Sequence, residues 1–404
     1  MRKYKIINDP VHGFITIPGS FFLKIIDSFE FQRLRRISQM GLSELVYPGA
    51  KHTRFQHALG AMHLMHKAVD VLRRKNIDIS DKEKKGVMAA ILLHDVGHGP
   101  FSHALEYALL DSIRHEDISM ALMKRLNKKM NGKLDLAIEI FTDQYPKKFL
   151  YQLISSQLDM DRMDYLQRDS FYTGVVEGRI NAERLIAMLN VQDQQLVVEE
   201  KGIYSVEKFI VSRRFMYWQV YLHKTSFMFE KILEQTLRRA KYLHRKGEKL
   251  YLDENLDYFF SHSHLTTDEE TLDKFIQLTD EDIMFHLKKW MHSNDPVLSF
   301  LSKSIVRRKP FRVEIRQEPF EPEQIEKIKQ KIGQKLHLTP KDVSFLVLEG
   351  KLQNQAYESE NDPIYILMKN GKVEEFSQTT DQMHIRALSG KVEKYFLIYP
   401  KDKI

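Results

Sequence analysis

Ile91-Leu92-Leu93-His94-Asp95-Val96-Gly97-His98-Gly99-Pro100-Phe101-Ser102-His103 sets a histidine and an aspartate side by side at the end of an apolar run. Burying that pair is costly unless something compensates it, and a divalent metal would do so. Neutral imidazole and carboxylate are both good ligands for Zn, Fe, Mn or Ni, and the carboxylate also suits Mg. Working outward, His57 lies upstream in Thr53-Arg54-Phe55-Gln56-His57, and Asp161 lies downstream in Asp159-Met160-Asp161-Arg162-Met163-Asp164-Tyr165. His57, His94, Asp95 and Asp161 together make a metal site whose ligands come from three segments. Eight of the 17 histidines fall between His52 and His115, far more than even scatter would place there. A single histidine on an apolar helix is more often a hydrogen-bonded core residue, and His63 and His66, with no carboxylate beside them, are read that way.

The rest of the chain reads as mainly α. Residues 1–50 form an N-terminal arm or hairpin and the first helices, with turn signals at Asn8-Asp9-Pro10 and Pro18-Gly19-Ser20. Within a core at 51–240, Ala58, Leu59, Met62, Met65, Val69 and Leu72 recur at helical spacing, so His57 opens an amphipathic helix. Gly86 to Asp95 reads as a buried helix stopped by Gly97, Gly99 and Pro100, and 153–169 as another. A helical extension spans 241–310, up to Arg307-Arg308-Lys309-Pro310. Beyond it, 311–404 reads as a small α+β module with strands at 311–316, 343–349, 363–369 and 393–399 and a helix at 321–337.

Composition narrows the class. The 404 residues exceed one ordinary domain, and 43% apolar content is enough for a full core. The absence of cysteine removes disulfides, thiolate metal sites and a cysteine nucleophile, and fits a cytoplasmic location. The first ten residues lack the apolar core of a signal peptide, and no apolar stretch reaches membrane-spanning length. A net charge of +7 suits an anionic partner such as a nucleotide or polyphosphate. Nucleic acid is allowed by that charge but not favoured, because aromatic and basic residues do not interleave as on single-strand platforms.

The run HDxGHGPFSH, the preceding RFxH and the DxDRxDY segment resemble the HD-domain phosphohydrolases, in the branch of the SAM-and-HD-domain and bacterial dNTP triphosphohydrolases. The resemblance starts at Asn8-Asp9-Pro10-Val11-His12-Gly13 and covers roughly 1–310. It implies a helical HD core, a divalent metal held by His57, His94, Asp95 and Asp161, and hydrolysis of a dNTP to deoxynucleoside and tripolyphosphate. It also implies that Arg54 reaches a phosphate and that His98, His103 and His115 face the phosphates. A histidine of near-neutral pKa can protonate the leaving oxygen. His103 oriented by Glu106 is the first choice and His115 the second. By the same resemblance Gln39, Tyr165 and Asp169 face the sugar, and Arg213 and Tyr221, on one helix with Lys224, contact substrate. Arg162 stands where the family carries a lysine. Tyr217 stands where deoxynucleotide-specific members have a histidine, which bears on sugar and base preference. Lys5, Asp27, Gln32 and Arg35 match positions that bind an activating guanine nucleotide between subunits, implying a homo-oligomer, dimer or tetramer. The alternatives are another HD phosphohydrolase acting on ribonucleotides or other phosphoesters, and a non-catalytic nucleotide or nucleic-acid binder.

Overall fold

The computed structural model describes residues 4–102, 106, 108–110, 113–262, 265–380 and 390–401. His103, the first-choice acid, lies outside them. The N-terminal turn signals close a hairpin, β1 (Lys5–Asp9) against β2 (Gly13–Ile17), antiparallel with Lys5 opposite Ile17. Thr53 and Gln56 then cap α1 (Arg54–Arg74), with the Gln56 side chain accepting from the Thr53 amide at 2.9 Å. A second reciprocal cap, Ser80 with Glu83, opens α2 (Asp81–Leu93). Its Val87–Leu93 stretch is buried throughout, so the helix delivers His94 and Asp95 from the centre of the core.

Glu83 does more than cap. It also meets Lys147 at 2.9 Å and accepts from the Tyr145 hydroxyl at 2.9 Å. Burial opposes its charge, but Lys147, Ser80 and Tyr145 outweigh it and hold the carboxyl down to about 2. A depressed carboxyl contributes stability that is full above its ordinary pKa and lost as pH falls toward the depressed one. Glu83→Gln therefore lowers stability at pH 7 by about 1–3 kcal/mol, and the gap to the parent narrows as pH is taken toward 3. Denaturant titrations at both pH values check this; a constant gap would assign the effect to packing alone.

Downstream, α3 (His115–Lys129) meets the loop after α2 through Ser119, and α4 (Met160–Thr173) packs on α1. The helix expected from 153 begins at Met160, because Asp159 caps it instead, accepting from the Arg162 amide at 2.6 Å. A hairpin absent from the sequence reading follows, β3 (Leu189–Gln192) and β4 (Gln195–Glu199). Its turn residues Asp193 and Gln194 both take positive φ without the glycine that would have signalled it. Next, α5 (Ile203–Met216) does not continue to Lys224 as one helix. A wide turn at Tyr217–Tyr221 interrupts it, and Lys224 opens α6 (Lys224–Arg245). Within the extension, α7 (Asp280–Trp290) packs on α8 (Pro296–Val306), which packs on α6.

The C-terminal strands divide between two sheets. β5 (Arg312–Arg316) and β6 (Leu348–Asn354) flank a later strand, whereas β7 (Tyr365–Leu367) pairs in parallel with β4 and carries β8 (Val373–Glu375). The central strand of the first sheet is β9 (Val392–Tyr399), and the helix expected at 321–337 is Pro322–Leu336. The strand expected at 343–349 is displaced to Leu348–Asn354, because Thr339 and Pro340 start a short helix at Pro340–Val343. Among the described residues no helix is long and apolar enough to cross a membrane.

Candidate active site

Three elements bring the four expected ligands together. His57 sits in the first turn of α1, His94 caps the end of α2 with Asp95 next to it, and Asp161 is in the first turn of α4. The Asp161 Oδ1 lies 2.9 Å from His57 Nε2 and 3.4 Å from His94 Nε2. Asp95 Oδ1 is 3.3 Å from His94 Nε2, and its Oδ2 is 3.7 Å from His57 Nε2. Ligands bonded at about 2.1 Å around a tetrahedral ion stand about 3.4 Å apart, so the spacing of His57, His94 and Asp161 fits one, with Asp95 beside them.

The hydrogen bonding fits as well. His57 Nδ1 meets Asp164 Oδ2 at 2.8 Å and His94 Nδ1 meets the Ile91 carbonyl at 2.6 Å. Both Nε2 atoms are buried and turned toward the Asp161 carboxylate. Tying Nδ1 in this way leaves Nε2 as the coordinating lone pair. The local field also calls for a cation. Burial opposes charge on His57, yet hydrogen bonds with Asp161 and Asp164 raise it to about 10. Burial likewise opposes ionisation of Asp95, but His94, Arg54 and His98 hold it well below the carboxylate range.

Behind His57 stands a network that the sequence reading missed. Asp164 Oδ1 meets His12 Nε2 at 2.6 Å, and both Asp164 oxygens accept from Arg168, at 2.9 and 3.0 Å. Arg168 also donates to Asp9 at 2.8 and 3.3 Å. The Asn8–Gly13 motif thus supplies the outer support of a metal ligand, and its signal was the paired Asp9 and His12 in a turn. Residue 60 must be glycine for α1 to approach this network, since a Cβ there would lie 2.0 Å from Asp164 Oδ1. Gly97 plays the same part below the ligand loop, where a Cβ would come within 2.3 Å of the His115 carbonyl.

Arg54 joins the metal cluster to a cavity. Its Nη1 donates to Asp95, and its Nε and Nη2 donate to the Ser102 hydroxyl at 3.1 and 2.7 Å. The cavity, about 590 Å³, is lined by Gln39, Arg54, Arg162, Tyr165, Asp169, Tyr217 and Tyr221, with Ser102, Phe227 and Glu230 among residues the sequence reading did not assign. Asp169 is held from two sides, by His52 Nε2 at 2.6 Å and the Tyr221 hydroxyl at 2.8 Å. Arg162 Nε donates to the Ser156 carbonyl at 2.6 Å. Arg213 is buried beside Tyr217, and its Nε and Nη1 have no partner, which suits an anion.

The histidines are placed unequally. His98 Nε2 is 3.2 Å from Asp95 Oδ1, and burial, with Arg54 adding to it, pushes His98 down to about 3. Its ring stacks on His115 at 4.0 Å. Glu106, expected to orient His103, meets His115 Nδ1 at 3.2 Å. At the regulatory positions, Gln32 donates to the Ile26 carbonyl at 2.7 Å and accepts from Arg35 at 2.9 Å. Asp27 is exposed at the end of the Ser20–Ile26 helix, and Lys5 is exposed on β1.

The HD domain family matches residues 54–169, and the HD-associated region matches 180–259. The uncharacterised protein YwfO of Bacillus subtilis is 34% identical over 425 residues, covering 100% of this chain and 94% of that protein. The crystal structure of a phosphohydrolase from Bacteroides thetaiotaomicron superimposes with a TM-score of 0.95 at 48% identity, covering 99% of this chain and 100% of that one. The deoxynucleoside triphosphate triphosphohydrolase SAMHD1 homolog of Dictyostelium discoideum is 31% identical over 259 residues, covering 59% of this chain and 50% of that protein. On these matches, with His57, His94 and Asp161 grouped inside the matched segment, this chain belongs to the HD-domain phosphohydrolase family and is a phosphohydrolase.

Proposed function

We propose that the enzyme hydrolyses deoxynucleoside triphosphates to deoxynucleoside and tripolyphosphate. The observation that carries this reading is the continuity of the metal cluster with a nucleotide-sized cavity through Arg54. Arg54, Arg162 and Lys231 line that cavity, Gln39, Tyr165, Asp169 and Tyr221 are among its other polar contacts, and Glu230 and Glu234 also line it.

In this reading His57, His94, Asp95 and Asp161 hold a divalent ion, with Zn, Fe, Mn or Ni better suited than Mg to the two imidazoles. When bound, the ion supplies charge neutralisation at the phosphate and a more acidic water. Arg54 and Arg162 hold phosphate oxygens, and Arg213 reaches the anion with its unpaired guanidinium nitrogens. His115, oriented by Glu106, gives the proton to the leaving oxygen, a part that His103 shares in the sequence reading. His98, neutral through burial, orients Asp95. Gln39, Tyr165 and Asp169 hold the sugar, with Tyr221 fixing the Asp169 carboxylate.

A second reading, a phosphohydrolase of ribonucleotides, is favoured by Tyr217, whose ring packs edge-on against Tyr221 at 5.2 Å where the sugar contacts gather. The regulatory reading places a guanine nucleotide at Asp27, Gln32 and Arg35, with Lys5 from the hairpin, in a homo-oligomer. Purified protein given Mn²⁺ and each dNTP and NTP, with and without GTP, tests all three. Release of deoxynucleoside with intact tripolyphosphate is expected. Release of single phosphate or of a monophosphate would overturn the triphosphohydrolase reading, and equal ribonucleotide turnover would move the assignment to the second.

A further inference from the structure

We propose that Asp280 is a positioning residue of this active site, fixing with one carboxylate the two backbone segments that carry Gln39 and Ser102. The inference rests on the substrate reading of the cavity just given. Asp280 is the first residue of α7, far along the chain from the 54–169 match, and it is buried. Its Oδ2 accepts from the Ser38 amide at 2.8 Å, and its Oδ1 accepts from the Phe101 amide at 2.8 Å. Each of those amides immediately precedes a cavity residue, Gln39 in one case and Ser102 in the other.

The second segment needs such a hold. Phe101 and Ser102 take φ of 49° and 50°, two successive non-glycine residues in the left-handed region. That region is unfavourable for residues that carry a Cβ. A hydrogen bond from an amide to a buried carboxylate is among the stronger ones available to offset that cost.

Arg33 completes the support from the opposite sign of charge. Its Nη1 donates to the carbonyls of Val96 at 3.2 Å and His98 at 2.9 Å, and its Nη2 to the carbonyl of Leu278 at 3.3 Å. The guanidinium therefore holds loop carbonyls at 96 and 98, while the carboxylate holds the loop amide at 101. Both groups lie in the interior. Burial draws Arg33 down to about 10, with Asp280 opposing. Burial likewise pushes Asp280 up to about 6, with Ser38 and Phe101 opposing.

What the two segments frame is Arg54. Ser102 accepts two of its guanidinium hydrogen bonds. On the other side, the Arg54 amide donates to the Ile37 carbonyl at 2.9 Å, and the Gln39 amide donates to the His52 carbonyl at 3.0 Å. A shift in either segment turns the guanidinium that spans Asp95 and the cavity. Misplacement by about 1 Å at a reacting centre costs on the order of 10²-fold in rate.

The test compares Asp280→Asn with Leu287→Ala, each in the full chain loaded with Mn²⁺. Leu287 is buried on the same helix, so its truncation weakens α7 without touching the cavity. An asparagine can accept from one amide with its oxygen but turns an NH2 donor toward the other. In Asp280→Asn, kcat/KM for dNTP falls roughly 10–100-fold, metal content stays at the parent level, and amide exchange at Ser38 and Phe101 accelerates. Leu287→Ala, assayed where it is folded, keeps the parent kcat and the protection of both amides. The proposal is overturned if Asp280→Asn keeps parent kcat/KM, if it loses activity only in step with its folded fraction, or if both amides stay protected. Should the parent protein hydrolyse no dNTP, the triphosphohydrolase reading fails, and the exchange comparison still decides the part played by Asp280.

Discussion

Asp161→Ala protein supplied with Mn²⁺ keeps its helices and turns over no nucleotide, a loss of roughly 10³-fold or more if the ion contributes several kcal/mol to the barrier. Asp161 places one oxygen against both His57 Nε2 and His94 Nε2, so its loss opens the centre on the side away from Asp95. The helix itself does not depend on it. Asp159 provides the cap of α4, and Met160, Met163 and Leu166 provide its buried face. Far-UV circular dichroism and metal analysis separate the two effects. Full activity in a metal-loaded mutant would remove Asp161 from the ligand set. His94→Ala gives the same outcome by the same logic, because its Nδ1 is tied to Ile91 and only Nε2 is offered to the centre.

Arg168→Met has the largest expected effect on stability. Arg168 is fully buried and donates to both Asp9 and Asp164. Its removal leaves two interior carboxylates without their cation, and breaking a buried pair in this way costs about 3–5 kcal/mol. The loss should reach the metal too. Asp164 then either takes up a proton or turns away from His57, and loss of such outer support typically lowers metal affinity by about 10–100-fold. Denaturant titration of the metal-free protein gives the first number and competition with a chelator the second. Unchanged stability would mean that the Asp9–Arg168–Asp164 chain is not held in the folded protein as described.

What could be read from the sequence was decided by how far each group's partners lie along the chain. His94 and Asp95 are adjacent, and Arg54 and His57 share a helical turn, so their joint chemistry was visible in short runs. The same holds for the capped helices α1 and α2, whose start signals are local. Asp280 carried no such mark. It acts on backbone amides at 38 and 101, which any sequence supplies, and it reads as an ordinary first-turn acid of a helix. Arg168 and Asp164 look like an i,i+4 surface pair until the hairpin at 5–17 is folded over them. The β3–β4 hairpin escaped because its turn uses Asp193 and Gln194 rather than glycine, and the interruption at Tyr217–Tyr221 because an aromatic run carries no breaker. Helical spacing pairs Glu106 with His103, which lies outside the described residues, and gave no hint of the contact Glu106 makes to His115 at the start of the next helix.

The parallel pairing of Tyr365–Leu367 with Gln195–Glu199 has a consequence for the order in which the chain folds. Nearly all of the metal-binding half can collapse locally, but the free edge of the 189–199 hairpin has no neighbour until residue 367 has been made. Until then the outer edge of the strand at Val197 and Val198 lacks its backbone partners, the kind of edge that recruits strands from other chains. Closing so long a loop is also slow. Refolding should therefore show two phases, an early one in which the helical centre gains its fluorescence and metal affinity, and a later, concentration-sensitive one in which aggregation competes with the arrival of the distal strand.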